Sequence, residues 1–198
     1  MRKLKLQIQL SLDGYIADVH GKTDWMVWAW GSQWTWDDAL KKYFIELKST
    51  VDCVLLSRKM AEEGFIDHWK KVSENTSDPQ FPFAKKIAAA EKVVFTKTLD
   101  QSTWPNTSLA KGDLTSEVNQ LKNKPGQDIM VYGGASFVSS LIQAGLIDEY
   151  HLFVNPTILG KGMPIFQQLQ DKSALTLLQA TPYACGVTVL SYSLRKNK

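Results

Sequence analysis

Cysteine, histidine and arginine are all scarce in this chain of 198 residues, and each scarcity removes a class of function. The two cysteines, Cys53 and Cys185, stand far apart in apolar, strand-like surroundings and read as reduced core thiols of a cytosolic protein. His20, His68 and His151 lack ligand spacing, so no metal site is expected. No apolar run approaches the roughly 18 residues of a membrane span. No signal-peptide core precedes the first strand pattern, so a cytoplasmic location without membrane attachment is expected. No Gly-x-Gly-x-x-Gly follows a strand, and neither a P-loop nor a Gly-x-Ser-x-Gly elbow occurs. With 23 basic against 20 acidic side chains, the net charge of +3 is too weak a field for a nucleic-acid partner. The 44% apolar content fits one domain over residues 1–198, burying roughly 70% of its unfolded surface.

Tryptophan is the residue in excess. There are seven, and Trp25, Trp28, Trp30, Trp34 and Trp36 crowd into one short stretch. That stretch follows a strand over residues 3–10, in which Lys3, Lys5, Gln7 and Gln9 alternate with Leu4, Leu6, Ile8 and Leu10. From Asp37 the period changes to a helix carrying Leu40, Phe44 and Leu47. Buried strands are predicted at Val51–Leu56, Lys92–Phe95 and Ile129–Tyr132, with helices beginning near Arg58, Phe83, Leu114 and Phe137 and a loop over residues 73–82. The last quarter reads as strands at Tyr150–Val154, Thr176–Ala180 and Val187–Leu194 with little helix between them. Alternating strands and helices imply parallel pairing, and terminal strands without helices imply an antiparallel edge. The expected fold is a three-layer α/β/α sandwich around one mixed sheet.

In such sheets ligands bind beyond the carboxyl ends of the parallel strands, where helix starts offer free N–H groups. Three junctions have suitable residues. Gly133-Gly134 lies between a buried strand and the helix start Ala135-Ser136-Phe137, and allows close backbone approach to a phosphate. Ser57-Arg58-Lys59 sets two cations at a helix start, where they oppose the dipole unless an anion is bound. Thr96-Lys97-Thr98 ends a third strand with two hydroxyls and an ammonium. A tight turn, a solvated basic pair and an ordinary strand end are the plain alternatives. Three such junctions on one sheet edge suit a ligand with several phosphates, such as a dinucleotide.

The segment Ser11-Leu12-Asp13-Gly14-Tyr15-Ile16-Ala17 resembles the dihydrofolate-reductase-like superfamily, and more closely proteins related to the C-terminal reductase domain of the bifunctional riboflavin biosynthesis enzyme. The run from Val131 through Gly133-Gly134, Gly145-Leu146-Ile147-Asp148-Glu149-Tyr150 and Pro156 to Gly162 is similar to the same group in motif order and distance. This resemblance implies that NADPH is the cofactor. Ser57, Arg58 and Lys59 would then meet its phosphates, and Thr96, Lys97 and Thr98 the region of its adenosine 2′-phosphate. Gly133, Gly134, Ala135, Ser136 and Phe137 would meet the pyrophosphate, while Gln9, Ile16 and Ala17 match positions near the nicotinamide. The family usually has glycine where this chain has Ser57. A homodimer is also implied.

Hydride transfer also needs an acceptor and a proton source. Asp37 and Asp38 stand roughly where dihydrofolate reductases have their acid, though acids at a helix start also complement the dipole. Gln7, Asp13, Trp25, Trp28 and Leu159 are candidates to border the acceptor. The polar face of Gln7 and Gln9 marks either a pocket wall or an edge strand. Trp25 and Trp28 read as an aromatic lid, with core anchoring or a dimer contact as the alternative. Arginine occurs only at Arg2, Arg58 and Arg195, which leaves no interior arginine to clamp a folate carboxylate. The zinc-deaminase signature and the arginine-bearing stretch expected for a phosphoribosyl substrate are likewise missing. The expectation is a stand-alone NADPH-dependent reductase acting on a flat heterocyclic or conjugated acceptor. A non-catalytic nucleotide-binding dimer with the same fold is the alternative.

Overall fold

Strict alternation along the first strand gives the two faces of the sheet different chemistry, and the layers form around that difference. The computed structural model describes residues 1–166 and 169–195. The terminal run Arg195-Lys196-Asn197-Lys198 reads as a solvated tail, and its residues 196–198 lie outside the described residues. The elements are β1 (Leu4–Leu10), α1 (Asp38–Ser49), β2 (Val51–Ser57), α2 (Arg58–Glu62), α3 (Phe65–Val72), α4 (Phe81–Ala89) and β3 (Glu91–Phe95). There follow β4 (Thr107–Ala110), α5 (Leu114–Asn123), β5 (Asp128–Val131), α6 (Ala135–Gln143), β6 (Glu149–Val154), β7 (Leu175–Pro182) and β8 (Thr188–Leu194). All eight strands join one sheet in the order β4-β3-β2-β5-β1-β6-β8-β7. The first six are parallel, and β8 and β7 add an antiparallel edge. This is the mixed α/β sheet that the patterning predicts.

Leu4, Leu6, Ile8 and Leu10 of β1 pack into the layer with Val118 and Leu121 of α5 and Val138, Leu141 and Ile142 of α6. Gln7 and Gln9 point the other way, under α1, α3 and α4, and both are buried. Because β1 runs between β5 and β6, the edge-strand account of its polar face is excluded. Lys5 on the same face ends in an ion pair with Asp128 at 2.7 Å. Beside it, the His151 ring and then Lys3 hold the Glu149 carboxyl down to about 2.

The tryptophans fill the layer above Gln7 and Gln9. Trp28 is the centre, its ring 4.8 Å from Trp30, 5.3 Å from Trp34, 4.8 Å from Trp36 and 5.9 Å from Phe44. Trp36 stacks on Phe153 of β6 at 5.3 Å, so the segment wedges α1 onto the sheet. Of the three roles open to this cluster, core anchoring is the one Trp28, Trp34 and Trp36 perform, since all three are buried.

Three local features depart from the sequence pattern. The helix near Arg58 is two helices, broken at Gly64, which adopts φ 94°. The loop over residues 73–82 ends early, because Pro82 fits the first turn of α4. Strand β4 has no periodic signal: it is four residues long and lies at the sheet edge. Cys53 is buried in β2, where burial pushes its thiol up to about 12, while Cys185 sits in the turn before β8 rather than in a strand. Among the described residues there is no metal-ligand cluster and no helix long and apolar enough to cross a membrane.

Candidate cofactor cleft and acceptor cavity

The carboxyl ends of β3, β2 and β5 bring the three phosphate-friendly junctions to one edge. Gly134 takes φ 81° and precedes α6 without any side-chain cap, as Gly64 and Gln80 precede α3 and α4, whereas α1, α2 and α5 are capped by Asp37, Ser57 and Asp113. Orphan N–H groups at a helix start attract an anion. A Cβ on Gly134 would lie 2.8 Å from the Ser57 hydroxyl, so the β5–α6 and β2–α2 junctions abut and glycine is required there. Ser57 accepts the Met60 N–H at 3.2 Å, which turns its side chain to capping.

A cavity of about 560 Å³ opens beside these turns, lined among others by Arg58, Phe95, Thr96, Lys97, Thr98 and Phe137. Phe95 and Phe137 form its apolar wall, with ring centres 5.0 Å apart. Thr96 Oγ1 accepts the N–H groups of Thr98 and Leu99, each at 3.1 Å, and so shapes the turn. Lys97 donates to the carbonyls of Lys111 and Gly112, both at 2.8 Å, which leaves one of its three ammonium hydrogens uncommitted. Arg58 pairs with Glu62 at 3.1 Å and Lys59 with Glu63 at 3.6 Å, both through i,i+4 spacing. Of the two, Arg58 lines the cavity.

The other expected site residues divide clearly. Gln9 is spent internally: its Nε2 donates to the Trp28 carbonyl at 2.8 Å and its Oε1 accepts from Asn155 at 3.3 Å. Asn155 also accepts the Val27 N–H at 2.8 Å, so it pins the tryptophan segment to β1. An Asn-Pro pair after a strand reads as a turn, which hides this role from sequence reasoning. Asp13 accepts the N–H groups of Leu159 at 3.1 Å and Gly160 at 2.7 Å and the Ser11 hydroxyl at 2.6 Å. The Ser11 hydrogen bond leads in holding its carboxyl below the usual range. Asp13 and Leu159 thus clamp two loops together. Ile16 and Ala17 lie in the same clamp, bonded through their backbones to Met163, and a side chain on Gly162 would collide with the Ala17 carbonyl.

Asp37 and Asp38, the expected acids, stand at the start of α1. Asp37 caps α1: its Oδ1 accepts the Leu40 N–H at 2.9 Å and its Oδ2 the Cys185 N–H at 2.9 Å. Those backbone bonds, Leu40 first, keep the carboxyl below its usual range, so it holds no proton to donate near neutrality. Asp38 is fully exposed and pairs with Lys41 at 3.2 Å. Trp28 is 1% exposed at the core of its cluster, and the Trp25 indole donates to the Lys22 carbonyl at 3.1 Å.

A second cavity, of about 380 Å³, lies between Trp30 and the α2–α3 bend. Trp30, Met60, Phe65, Trp69 and Tyr132 give it flat apolar walls, and Glu63 and His68 stand on its lining. Tyr132 immediately precedes Gly133-Gly134, so this cavity adjoins the anion-friendly turn. Sequence reasoning missed it, because its wall combines a loop, a helix break and a strand end.

The chain is similar to known proteins in sequence and in fold. The chain is 29% identical over 194 residues to the uncharacterized protein YyaP of Bacillus subtilis, covering 96% of this chain and 94% of that one. A crystal structure from Shewanella sp. PV-4, assigned provisionally to riboflavin biosynthesis, superposes with a TM-score of 0.71 at 23% identity over 99% of this chain and 100% of that one. The Thermotoga maritima diaminohydroxyphosphoribosylaminopyrimidine deaminase/5-amino-6-(5-phosphoribosylamino)uracil reductase gives 0.66 at 16% identity, over 98% of this chain and 57% of that longer one. These likenesses bear on the fold, which is dihydrofolate-reductase-like. A model of the RibD C-terminal domain matches residues 2–189, and the chain belongs to that family.

Proposed function

We propose that this protein is an NADPH-dependent reductase of a small, flat, conjugated acceptor. The observation that carries the reading is the uncapped start of α6 at Gly134, next to a cavity with cations and two phenylalanine rings on its wall. The residues present fit a polyphosphate ligand. Gly133 and Gly134 with the N–H groups of Ala135, Ser136 and Phe137 would hold the pyrophosphate. Ser57, Arg58 and Lys59 would face the neighbouring phosphate, with Thr96, Lys97 and Thr98 at the 2′-phosphate. Ile16 and Ala17 would border the nicotinamide end, and Gln9 would act there by fixing the Trp28 backbone.

When bound, NADPH supplies a hydride equivalent. The chain's own part is to hold the acceptor flat and dry. Beside Trp30, the rings of Phe65, Trp69 and Tyr132 line a cavity suited to stacking a planar ring. The acids expected for proton donation are committed to capping and to the surface, so the proton comes from another group or from solvent.

The test is consumption of NADPH by the purified protein against a panel of pteridines, pyrimidinones and quinones. Turnover of at least one flat acceptor, reduced tenfold or more by Phe65→Ala, is expected. NADPH binding with no turnover across the panel would favour the non-catalytic nucleotide-binding dimer instead.

A further inference from the structure

Among the described residues, three of the seven buried side-chain polar atoms without a hydrogen-bond partner lie together on the α1 face of the sheet, and the other four belong to Trp34, Trp36, Gln80 and His151. Neither amide atom of Gln7 nor the Tyr132 hydroxyl has a hydrogen-bond partner among the described residues, although all are buried. The two residues are neighbours. The register Leu6↔Val131 sets Gln7 of β1 beside Tyr132 at the end of β5, both on the α1 face. Lys48 of α1 enters the same space. Its Nζ lies 2.9 Å from the centre of the Phe44 ring, 5.0 Å from Phe83 and 5.4 Å from Tyr132, and its hydrogen bond is to the Phe44 carbonyl at 3.3 Å. A buried polar group with no partner is destabilising, so a native protein that keeps several together commonly has a use for them.

The Trp30 indole lines the cavity and borders this patch. The Trp30 ring packs on the same three rings that surround Lys48, at 6.1 Å from Phe44, 6.5 Å from Phe83 and 6.4 Å from Tyr132. Its backbone has φ 63°, a left-handed conformation that bulky residues rarely adopt. The turn itself is tied down on both sides, through Gln9 to the Trp28 carbonyl and through Gln80 and the Trp28 indole to the Gly31 carbonyl. Movement at this point is therefore a swing of the indole rather than an opening of the loop. An indole is a planar bicycle, and the space it leaves is of bicyclic size.

We propose that Trp30 is a gate, and that Gln7, Tyr132 and Lys48 recognise the lactam edge of a planar bicyclic heterocycle that takes the place of its indole. A carboxamide presents a donor and an acceptor side by side, which pairs reciprocally with the N–H and C=O of a lactam. The Tyr132 hydroxyl and the Lys48 amine add further donors at the same edge. This inference rests on the reading that the aromatic cavity takes the acceptor, and it is independent of the cofactor.

The test is calorimetric titration, without NADPH, using quinazolinone and quinazoline, bicycles of one shape that differ in the lactam. Trp30→Ala is expected to bind quinazolinone at least tenfold more tightly than the wild type does, with little gain for quinazoline. Adding Gln7→Leu should remove that gain while leaving the fold intact, since it replaces an unpartnered amide by an apolar group of similar size. Equal gains for both probes would leave the cavity as an acceptor site but overturn the polar recognition. No binding of either probe would overturn both. If Trp30→Ala does not fold, wild type and Gln7→Leu are compared with the same probes. A tenfold weaker quinazolinone affinity in Gln7→Leu is then expected, and equal affinities would contradict the proposal.

Discussion

Asp37 shows how one carboxylate that resembles a catalytic acid can be occupied by architecture. Both of its oxygens accept backbone N–H groups, one from α1 and one from the turn before β8. Asparagine caps a helix about as well as aspartate, and alanine costs about 1 kcal/mol at such a position. An asparagine oxygen can accept only one of these two N–H groups, so Asp37→Asn should keep the cap and NADPH binding at a cost of about 1 kcal/mol, while Asp37→Ala, which loses both bonds, lowers the unfolding free energy by more. Urea denaturation of the two variants checks this. A carboxyl depressed in the folded state stabilises above its unfolded pKa, and that contribution disappears as the pH falls through the folded value. The difference between wild type and Asp37→Asn should therefore change only in acid. A loss of turnover in Asp37→Asn that remains folded and binds NADPH would return this residue to the chemistry. The same scale explains what was hidden in Lys48. It lies one turn after Phe44 on the buried stripe of α1, yet a lysine near the end of a helix reads as a solvated, dipole-complementing charge.

At the scale of elements, strand and helix order was largely legible because period two and period 3.6 are strong signals in β1, α1 and α6. The exceptions share a cause. Strand β4 and the α2–α3 break are too short to show a period, and the tryptophan segment has none. The three anion-friendly junctions were legible because glycines, hydroxyls and cations stand at predicted strand ends. The acceptor cavity was not, because its wall comes together only when Trp30, Phe65 and Tyr132 meet in space. The antiparallel end of the sheet raises a separate matter. Strand β7 is the outer strand, and Leu177 and Leu178 are 55% and 53% exposed on it. An open apolar edge invites pairing, and a homodimer across β7 is the proposed cover. Solution scattering at micromolar concentration should give a dimeric mass, shifted toward monomer by Leu178→Lys. A monomeric wild type would contradict it.

For the molecule as a whole, the two faces of the sheet do different work. The α5–α6 face is an ordinary aliphatic core, which Leu4, Leu6, Ile8 and Leu10 announce in the sequence. The opposite face trades aliphatic packing for stacked aromatic rings over a polar floor, and its upper rim meets the cleft that the three junctions form. Excess tryptophan is thus chiefly a core device, with Trp30 and Trp69 placed at the boundary between core and cavity. The central claim is that the cleft beside Gly134 holds NADPH. Calorimetric titration of the wild-type protein with NADPH and with NADH tests it most directly. The expected result is micromolar binding of NADPH and at least tenfold weaker binding of NADH, with the preference reduced in Lys97→Ala. Absence of binding by either nucleotide at millimolar concentration would contradict it.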